Sequence, residues 1–433
     1  MSKWFIYCLI AGLCCLGAPW AQAENLVEVS RMVRSADPLV VQAMARLAAE
    51  QENYIQTRAG LLPRMDASAG ITYFTHDIEN YTTGQLNGDY TGHNLGVSLR
   101  QPILNGQAWK GLEQAAHGIR AAEYATVSAE QDTLLKGAEA YLAALRAAAS
   151  EAVAEREQAR LAEILRQAAA ALEVGTGDII SVHEALSRFE GAKASLESAR
   201  AERRYAERRL SVLAGRSLTV AALNPRLGAP AAPPGEVAER AVETSPAVRQ
   251  AKAYFEQAET EIEIARRGHW PTLDMTAGYS DTKGSTFIPD MEIRQWTIGG
   301  ALTFPLFRGG ATQSQVRQAV ARRTEAKGRL DEVHQSIRQR VELARARWEA
   351  ASGQLAAASR QVDAAEKTVR AVAKGREIGV RTIVDLMNAE QSLFAAQRSH
   401  EAARIDLVLS HLQLRAAAGV LSEEDLAAAH SQG

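Results

Sequence analysis

Two periodicities alternate along this chain. From Pro63, the residues Ala67, Ala69, Ile71 and Tyr73 fall on one side of an extended backbone, with Asp66, Ser68, Gly70 and Thr72 on the other. This period-2 pattern predicts a strand with one apolar face and one polar or small face. A stretch rich in Gly, Asn, Thr and Tyr, His76 to His93, reads as a loop, and Asn94 to Gln101 as a second strand. The pattern recurs as Leu273 to Tyr279, a loop, and Arg294 to Phe304. Each hairpin is expected to have about ten residues per strand, the length a tilted strand needs to cross a bilayer.

Helical periodicity fills the rest. Asp37 to Gly60 reads as a helix, with Pro38 suited to its first turn and Gly60 to its end. Gln107 to Glu173 and Thr312 to Glu377 contain no proline, and at 1.5 Å per residue each would reach roughly 100 Å. On the second, Val341, Ala344, Trp348, Ala351, Leu355, Ala358, Val362, Ala365, Val369 and Val372 recur at 3/4 spacing. That is a coiled-coil seam in which one position is mostly Ala, so its neighbour must pack closely. Both long helices are expected to stop at Gly175 and Gly379. The chain then doubles back into shorter helices that end near Ala214 and Ala418, making antiparallel helical hairpins.

The alternation exists because the chain repeats itself. Pro63 and Pro271 stand 208 residues apart, as do Gly70 and Gly278; Pro102 and Pro305 are 203 apart, and Gly175 and Gly379 are 204 apart. A period this long marks a duplicated domain rather than a solenoid. The expected organisation is a signal peptide at 1–23, a first repeat at 24–223, a Pro-rich linker at 224–235 and a second repeat at 236–433. Each repeat would comprise a helix, a β-hairpin and a long helical hairpin. Pro63, Pro102, Pro271 and Pro305 would mark the junctions where the backbone changes period.

Composition narrows the class. Hydrophobic residues make up 46% of the chain and aromatic ones 6%, a balance that favours close-packed, Ala-rich helices. A net charge of −2 gives no basic face for nucleic acid. Lys3, the apolar run Trp4 to Gly17 and the small-x-small site Ala21-Gln22-Ala23 read as a secretory signal peptide. Cys8, Cys14 and Cys15 all precede that site, so the mature chain is expected to carry no cysteine, disulfide or acyl anchor. Beyond it no apolar run reaches the ~18 residues of a spanning helix. An exported chain of this kind is periplasmic, secreted or a membrane β-barrel.

Four strands cannot stand alone in a membrane, because open sheet edges leave backbone groups unpaired. Several copies must share one barrel; three would supply twelve strands, more than the eight that side chains alone can fill. The expected fold class is therefore an α+β membrane protein. It would be a trimeric twelve-stranded barrel, four strands per chain, continued by a long α-helical coiled-coil tunnel in the periplasm.

At this point the chain resembles the TolC family of outer-membrane efflux and secretion channels across its whole mature length. The stretch Gly268-His269-Trp270-Pro271-Thr272-Leu273-Asp274 and the run Gly379 to Leu386 carry the resemblance most specifically. The tail Ala418 to Leu426, Gln101 to Asn105, and Trp109-Lys110 add to it. The resemblance implies a homotrimer in the outer membrane of a Gram-negative bacterium, surrounded by outer-membrane lipid. It further implies export of proteins or drugs together with a periplasmic adaptor and an inner-membrane ABC or proton-driven transporter.

In the family, the far end of the helices closes like an iris and acidic residues narrow the passage. Asp385 matches one such position, and the next family carboxylate is Asn388 here. Subtracting the repeat offset of 204 gives Ser181 and Glu184 as their counterparts, so the candidate constriction is Asp385, Glu184, Asn388 and Ser181. Arg381 matches a residue that ties neighbouring helices together. Its family partner is replaced by Ser181, and the accompanying positions are Ile180 and Arg376. Arg381 is left to pair with Asp178 or Glu184, or the lock is weaker.

Other chemistry is thin. The chain has no HExxH, Walker loop, CxxC or GxSxG, so neither an enzyme, a metal site nor a cofactor is expected. Arg200 to Arg209 reads as a solvated face with i,i+4 pairs. Trp270, Trp296 and Phe304 read either as an interfacial aromatic belt or as junction packing. The rival to an export duct is a periplasmic helical-hairpin adaptor or structural protein.

Overall fold

A computed structural model describes residues 25–80, 84–218, 234–285 and 288–430. The expected signal peptide, and the linker up to Pro233, lie outside the described residues. Helix α1 (Leu26–Ala36) is closed by a capping box between Asn25 and Glu28. Next come α2 (Pro38–Ala59), β1 (Arg64–Asn80), β2 (Gly84–Leu104), α3 (Gly106–Glu173) and α4 (Ile179–Ala214). After α5 (Pro234–Thr244) the order recurs: α6 (Pro246–Arg266), β3 (Thr272–Ser285), β4 (Ile288–Thr303), α7 (Ala311–Glu377) and α8 (Ile383–Ala417), closed by α9 (Glu423–His430).

Helices α3 and α7 run 68 and 67 residues, without a proline to remove a hydrogen bond. The expected α7 seam, from Val341 to Val372, is buried or half-buried throughout, and most positions between its members are exposed.

Compact packing cuts across the sequence repeat. One unit comprises Met1–Val41, Ala129–Val242 and Ile337–Gly433; the other comprises Gln42–Ser128 and Glu243–Ser336. Each thus takes corresponding pieces from both repeats, as expected when two copies of one motif pack side by side.

In the first unit, the core joins Leu26, Val29 and Val33 of α1 to Leu134, Tyr141 and Leu142 of α3, Leu210 of α4, Leu412 of α8 and Leu426 of α9. Ion pairs from Arg31 (2.7 Å) and Arg34 (3.2 Å) to Glu423 tie α1 to α9. At 2.6 Å, Lys136 on α3 meets Asp37, just beyond α1.

The second unit contains a four-stranded antiparallel sheet in the order β1-β2-β3-β4. Its strands run 17, 21, 14 and 16 residues, longer than the sequence pattern suggested. Most of 76–93 and 281–293, expected to be loop, is strand: pairing continues to Asn80↔Gly84 and to Ser285↔Ile288. A ladder of backbone hydrogen bonds needs no apolar alternation, and Thr and Tyr favour it. Pro63 and Pro271 immediately precede strands and Pro305 follows one. The β2–β3 register shifts between Pro102 and Leu104, where proline has no N–H to donate.

Candidate functional site

The two helical hairpins of the first unit turn on the same device. Gly175 and Gly379 have φ of 76° and 78°, the left-handed region that glycine enters without steric cost. The amides that follow reach back to the helices they leave. Thr176 N donates to Ala171 O at 2.9 Å, and Val380 N to Gly375 O at 2.9 Å, satisfying terminal carbonyls. Each returning helix is then capped by its own sequence. Asp178 accepts from Ser181 N at 2.8 Å and from Ser181 Oγ at 2.7 Å. Thr382 Oγ1 accepts from Asp385 N at 3.1 Å, while Thr382 N donates to Asp385 Oδ2 at 3.0 Å, a reciprocal capping box.

Asp385 is therefore held by its own helix end. The Thr382 amide and hydroxyl, with a smaller pull from the Arg381 guanidinium, keep its carboxyl below the usual aspartate range. Asp178 is lowered similarly, first by the Ser181 hydroxyl and then by backbone amides. Both carboxylates stay ionised at neutral pH.

Around the turns, Leu161, Ile164 and Ala168 of α3, Ala185 and Ala192 of α4, and Leu386 and Met387 of α8 form a buried cluster against Val369, Val372 and Ala373 of α7. All four helices meet there, which fixes where the polar residues emerge. Arg376 Nη1 donates to Gln167 Oε1 at 2.9 Å, linking α7 to α3. Among the described residues no hydrogen bond or ion pair joins Arg381 to Asp178 or Glu184, so within the chain neither pairing weighed from the sequence is made. Instead, the Arg381 side chain lies over Gly375, where an added Cβ would stand 2.8 Å from its Cγ.

Sequence reasoning missed the residue that engages Glu184. Arg188 Nη2 lies 2.9 Å from Glu184 Oε1 on its own helix and 2.9 Å from Asn388 Oδ1 on α8, and Nη1 lies 3.2 Å from Gln391 Oε1. The pattern Glu-x-x-x-Arg signals the first contact. Nothing local signals the other two, whose partners are 200 and 203 residues away. Arg188 also lines a cleft of about 490 Å³ between α3, α4 and α8. The buried carboxylates there are compensated too: Glu390 by Arg160 at 2.7 Å, and Glu157 by Arg398.

In the second unit the register sorts the sheet into two chemical faces. One row runs Met65–Leu99–Ala277–Ile298 and the next Ala67–Val97–Tyr279–Trp296. Residues directly opposite share a face, and the intervening rows are Asp66–Ser98–Gly278–Thr297 and Ser68–Gly96–Ser280–Gln295. The apolar face is bare: Ile71, Trp296 and Ile298 are 80%, 82% and 84% exposed. The opposite face carries the Arg100–Asp274 pair at 2.9 Å. Such a patch is an aggregation liability in water and an ordinary surface in lipid. Arg267 stacks over Trp270 at 4.8 Å, and Tyr279 packs on Trp296 with ring centroids 4.9 Å apart. Trp270 thus has a packing role at the junction, and Trp296 lies on the bare apolar face.

A half-lipophilic sheet with open edges, borne by a chain of very long helical hairpins, defines the class: a subunit of a membrane-embedded duct. The profile of the outer membrane efflux protein family matches residues 29–216 and 237–420, and the chain belongs to that family. It is 28% identical to the outer membrane protein TolC of Vibrio cholerae, over 94% of this chain and 93% of that protein. It is also 28% identical to the alkaline protease secretion protein AprF of Pseudomonas aeruginosa, over 94% and 86%. Among solved structures, CusC superposes with a TM-score of 0.80 at 16% identity, covering 91% of this chain and 92% of that one. VceC of Vibrio cholerae gives 0.78 at 19%, covering 91% and 96%. The fold is that of these channels, with a four-stranded sheet per chain and the long helices of a barrel-and-tunnel architecture. The protein is an outer-membrane exit duct of a Gram-negative bacterium.

Proposed function

We propose that three copies of this chain form the passive exit of a tripartite exporter, receiving cargo through a periplasmic adaptor from an inner-membrane ABC or proton-driven transporter. The observation that carries this reading is the two-faced sheet. Its apolar rows fit lipid and its small and polar rows fit a water-filled lumen. Relatives named for protein secretion, such as AprF, and for efflux support a duct whose cargo is set by the pump it serves.

Within this reading the constriction is built at the helical turns by Asp385, with Ser181, Glu184 and Asn388 beside it. Arg381, Arg376 and Asp178 shape the surrounding turns. Three ionised Asp385 carboxylates converging on an axis attract cations. The test is conductance in planar bilayers of purified protein whose mass in detergent corresponds to three chains. Asp385→Asn should reduce cation preference and weaken block by multivalent cations. A monomeric particle in detergent, or a pore indifferent to the substitution, would contradict the assembly or the constriction respectively. A periplasmic adaptor would fractionate away from the outer membrane and form no pore at all.

A further inference from the structure

We propose that Arg188 sets the fixed charge of the tip one helical turn beyond Asp385, cancelling Glu184 and fastening α4 to α8 at that level. This rests on the reading of the tip as the narrow part of the passage. The geometry is specific: one guanidinium satisfies a carboxylate and two side-chain amide oxygens at 2.9, 2.9 and 3.2 Å. A planar fork of donors suits this arrangement better than a lysine ammonium would. The Glu184 and Arg188 side chains are only 33% and 24% exposed, so the pair is partly withdrawn from water and screened less than a surface pair.

The repeat gives an independent check. Adding the offset of 204 maps Glu184 onto Asn388 and Arg188 onto Ser392. The first half thus holds a cation–anion pair where the second holds two neutral side chains, with Ser392 Oγ returned to Asn388 O at 3.0 Å. Both halves are neutral at this level by different means. Without its arginine the first half would not be: three Glu184 carboxylates per trimer would face the passage uncompensated. Glu184 is then a masked member of the constriction, and Arg188 is the mask.

The test is the reversal potential of the purified trimer in planar bilayers under a potassium chloride gradient at about 0.1 M, where fixed charges a Debye length apart still act. Arg188→Gln should raise the cation-to-anion permeability ratio about twofold, and Glu184→Gln should lower it by a similar factor. The double variant should return to the starting value, and Arg188→Lys should stay near it. Opposite shifts that cancel are the signature of charge; a purely structural clasp would disturb both single variants in the same direction. If Arg188→Gln fails to assemble, Glu184→Gln alone carries the test, because it leaves the clasp arginine in place. Unchanged ratios in both single variants, with Asp385→Asn still shifting selectivity, would overturn this inference and keep the constriction. Unchanged ratios in all three variants would overturn both.

Discussion

Replacing Ile298 with lysine tests which way the sheet faces. Ile298 is 84% exposed and shares its row with Met65, Leu99 and Ala277. A lysine at the midplane on the lipid face of a barrel costs about 2–4 kcal/mol per chain. The lower part of that range applies here. Arg294, the nearest cation on the same face of β4, is four residues away. That is about 14 Å along the strand and about 10 Å of depth at a tilt near 40°. A lysine can lean part of that distance toward the interface. The expected loss is about 2–3 kcal/mol per chain, roughly thirty- to 150-fold in the folding equilibrium, repeated in each of three subunits. Thr297→Lys is the matched control: it sits one residue away beside Gly278 on the polar face and should cost less than about 1 kcal/mol. Urea titration of the assembled protein in lipid vesicles, followed by heat-modified electrophoretic migration, measures both. A larger loss for Thr297→Lys than for Ile298→Lys would show that the sheet faces the other way.

Three further outcomes are expected. Leu99 pairs with Ala277 inside the chain; carried through the repeat offsets, this places Leu302 opposite Ala69 of the next copy. Cysteines at those two positions should join subunits on oxidation, whereas Leu302→Cys with Gly70→Cys, on opposite faces, should not. Thr382→Ala removes the α8 cap and should cost about 1 kcal/mol, seen as faster hydrogen exchange confined to the first turn of α8. On acidification the first unit should lose stability. Thr382 holds Asp385 low, Ser181 holds Asp178 low and the Arg31 side chain holds Glu423 low, while burial depresses His411. Each folded-state value lies below its unfolded one, so the stabilisation is complete above the unfolded pKa and disappears as pH falls through the folded one. The His411 contribution goes first, below about pH 6.5, and the carboxylates follow below about pH 4. Thermal unfolding that is flat between pH 7 and pH 3 would refute this.

The long helices and their glycine turns were legible because they depend on local facts: no proline for more than sixty residues, a 3/4 seam, and a residue suited to positive φ at each end. The strands were only half legible. Where apolar and polar residues alternate, as from Ala67 to Tyr73, the strand and its apolar face were legible together. Beyond Tyr73 the alternation weakens, yet pairing continues to Asn80, because the backbone ladder persists after the lipid requirement has lapsed. At the tip, Asp385 could be placed from its motif, but its capping of α8 is what fixes it. Of the Arg188 contacts only the one to Glu184 had a local signal, since Asn388 and Gln391 reach it only after the two repeats pack together.

Duplication explains both what this chain can build and what it leaves undone. The β2–β3 contact joins the hairpin of one repeat to that of the next, so the chain carries within itself the kind of contact that links one hairpin to another. β1 and β4 remain as edges, and in lipid an unpaired edge is costly at every residue. Only another hairpin presenting the same faces can cover them, and the available source is a second copy. The parity agrees: Met65, Ala67, Ala69 and Ile71 of β1 are odd-numbered, and Trp296, Ile298 and Leu302 of β4 are even-numbered. The transferred register, in which paired numbers sum to an odd value, therefore keeps lipid rows with lipid rows around the whole barrel. A shift of one residue would set Leu302 against Gly70 and turn one subunit's apolar rows into the lumen. The same duplication leaves the tip free to differ between halves, because no edge has to match there. That is where Glu184 and Arg188 stand against Asn388 and Ser392, and where the sequence has changed its charges while keeping its turns.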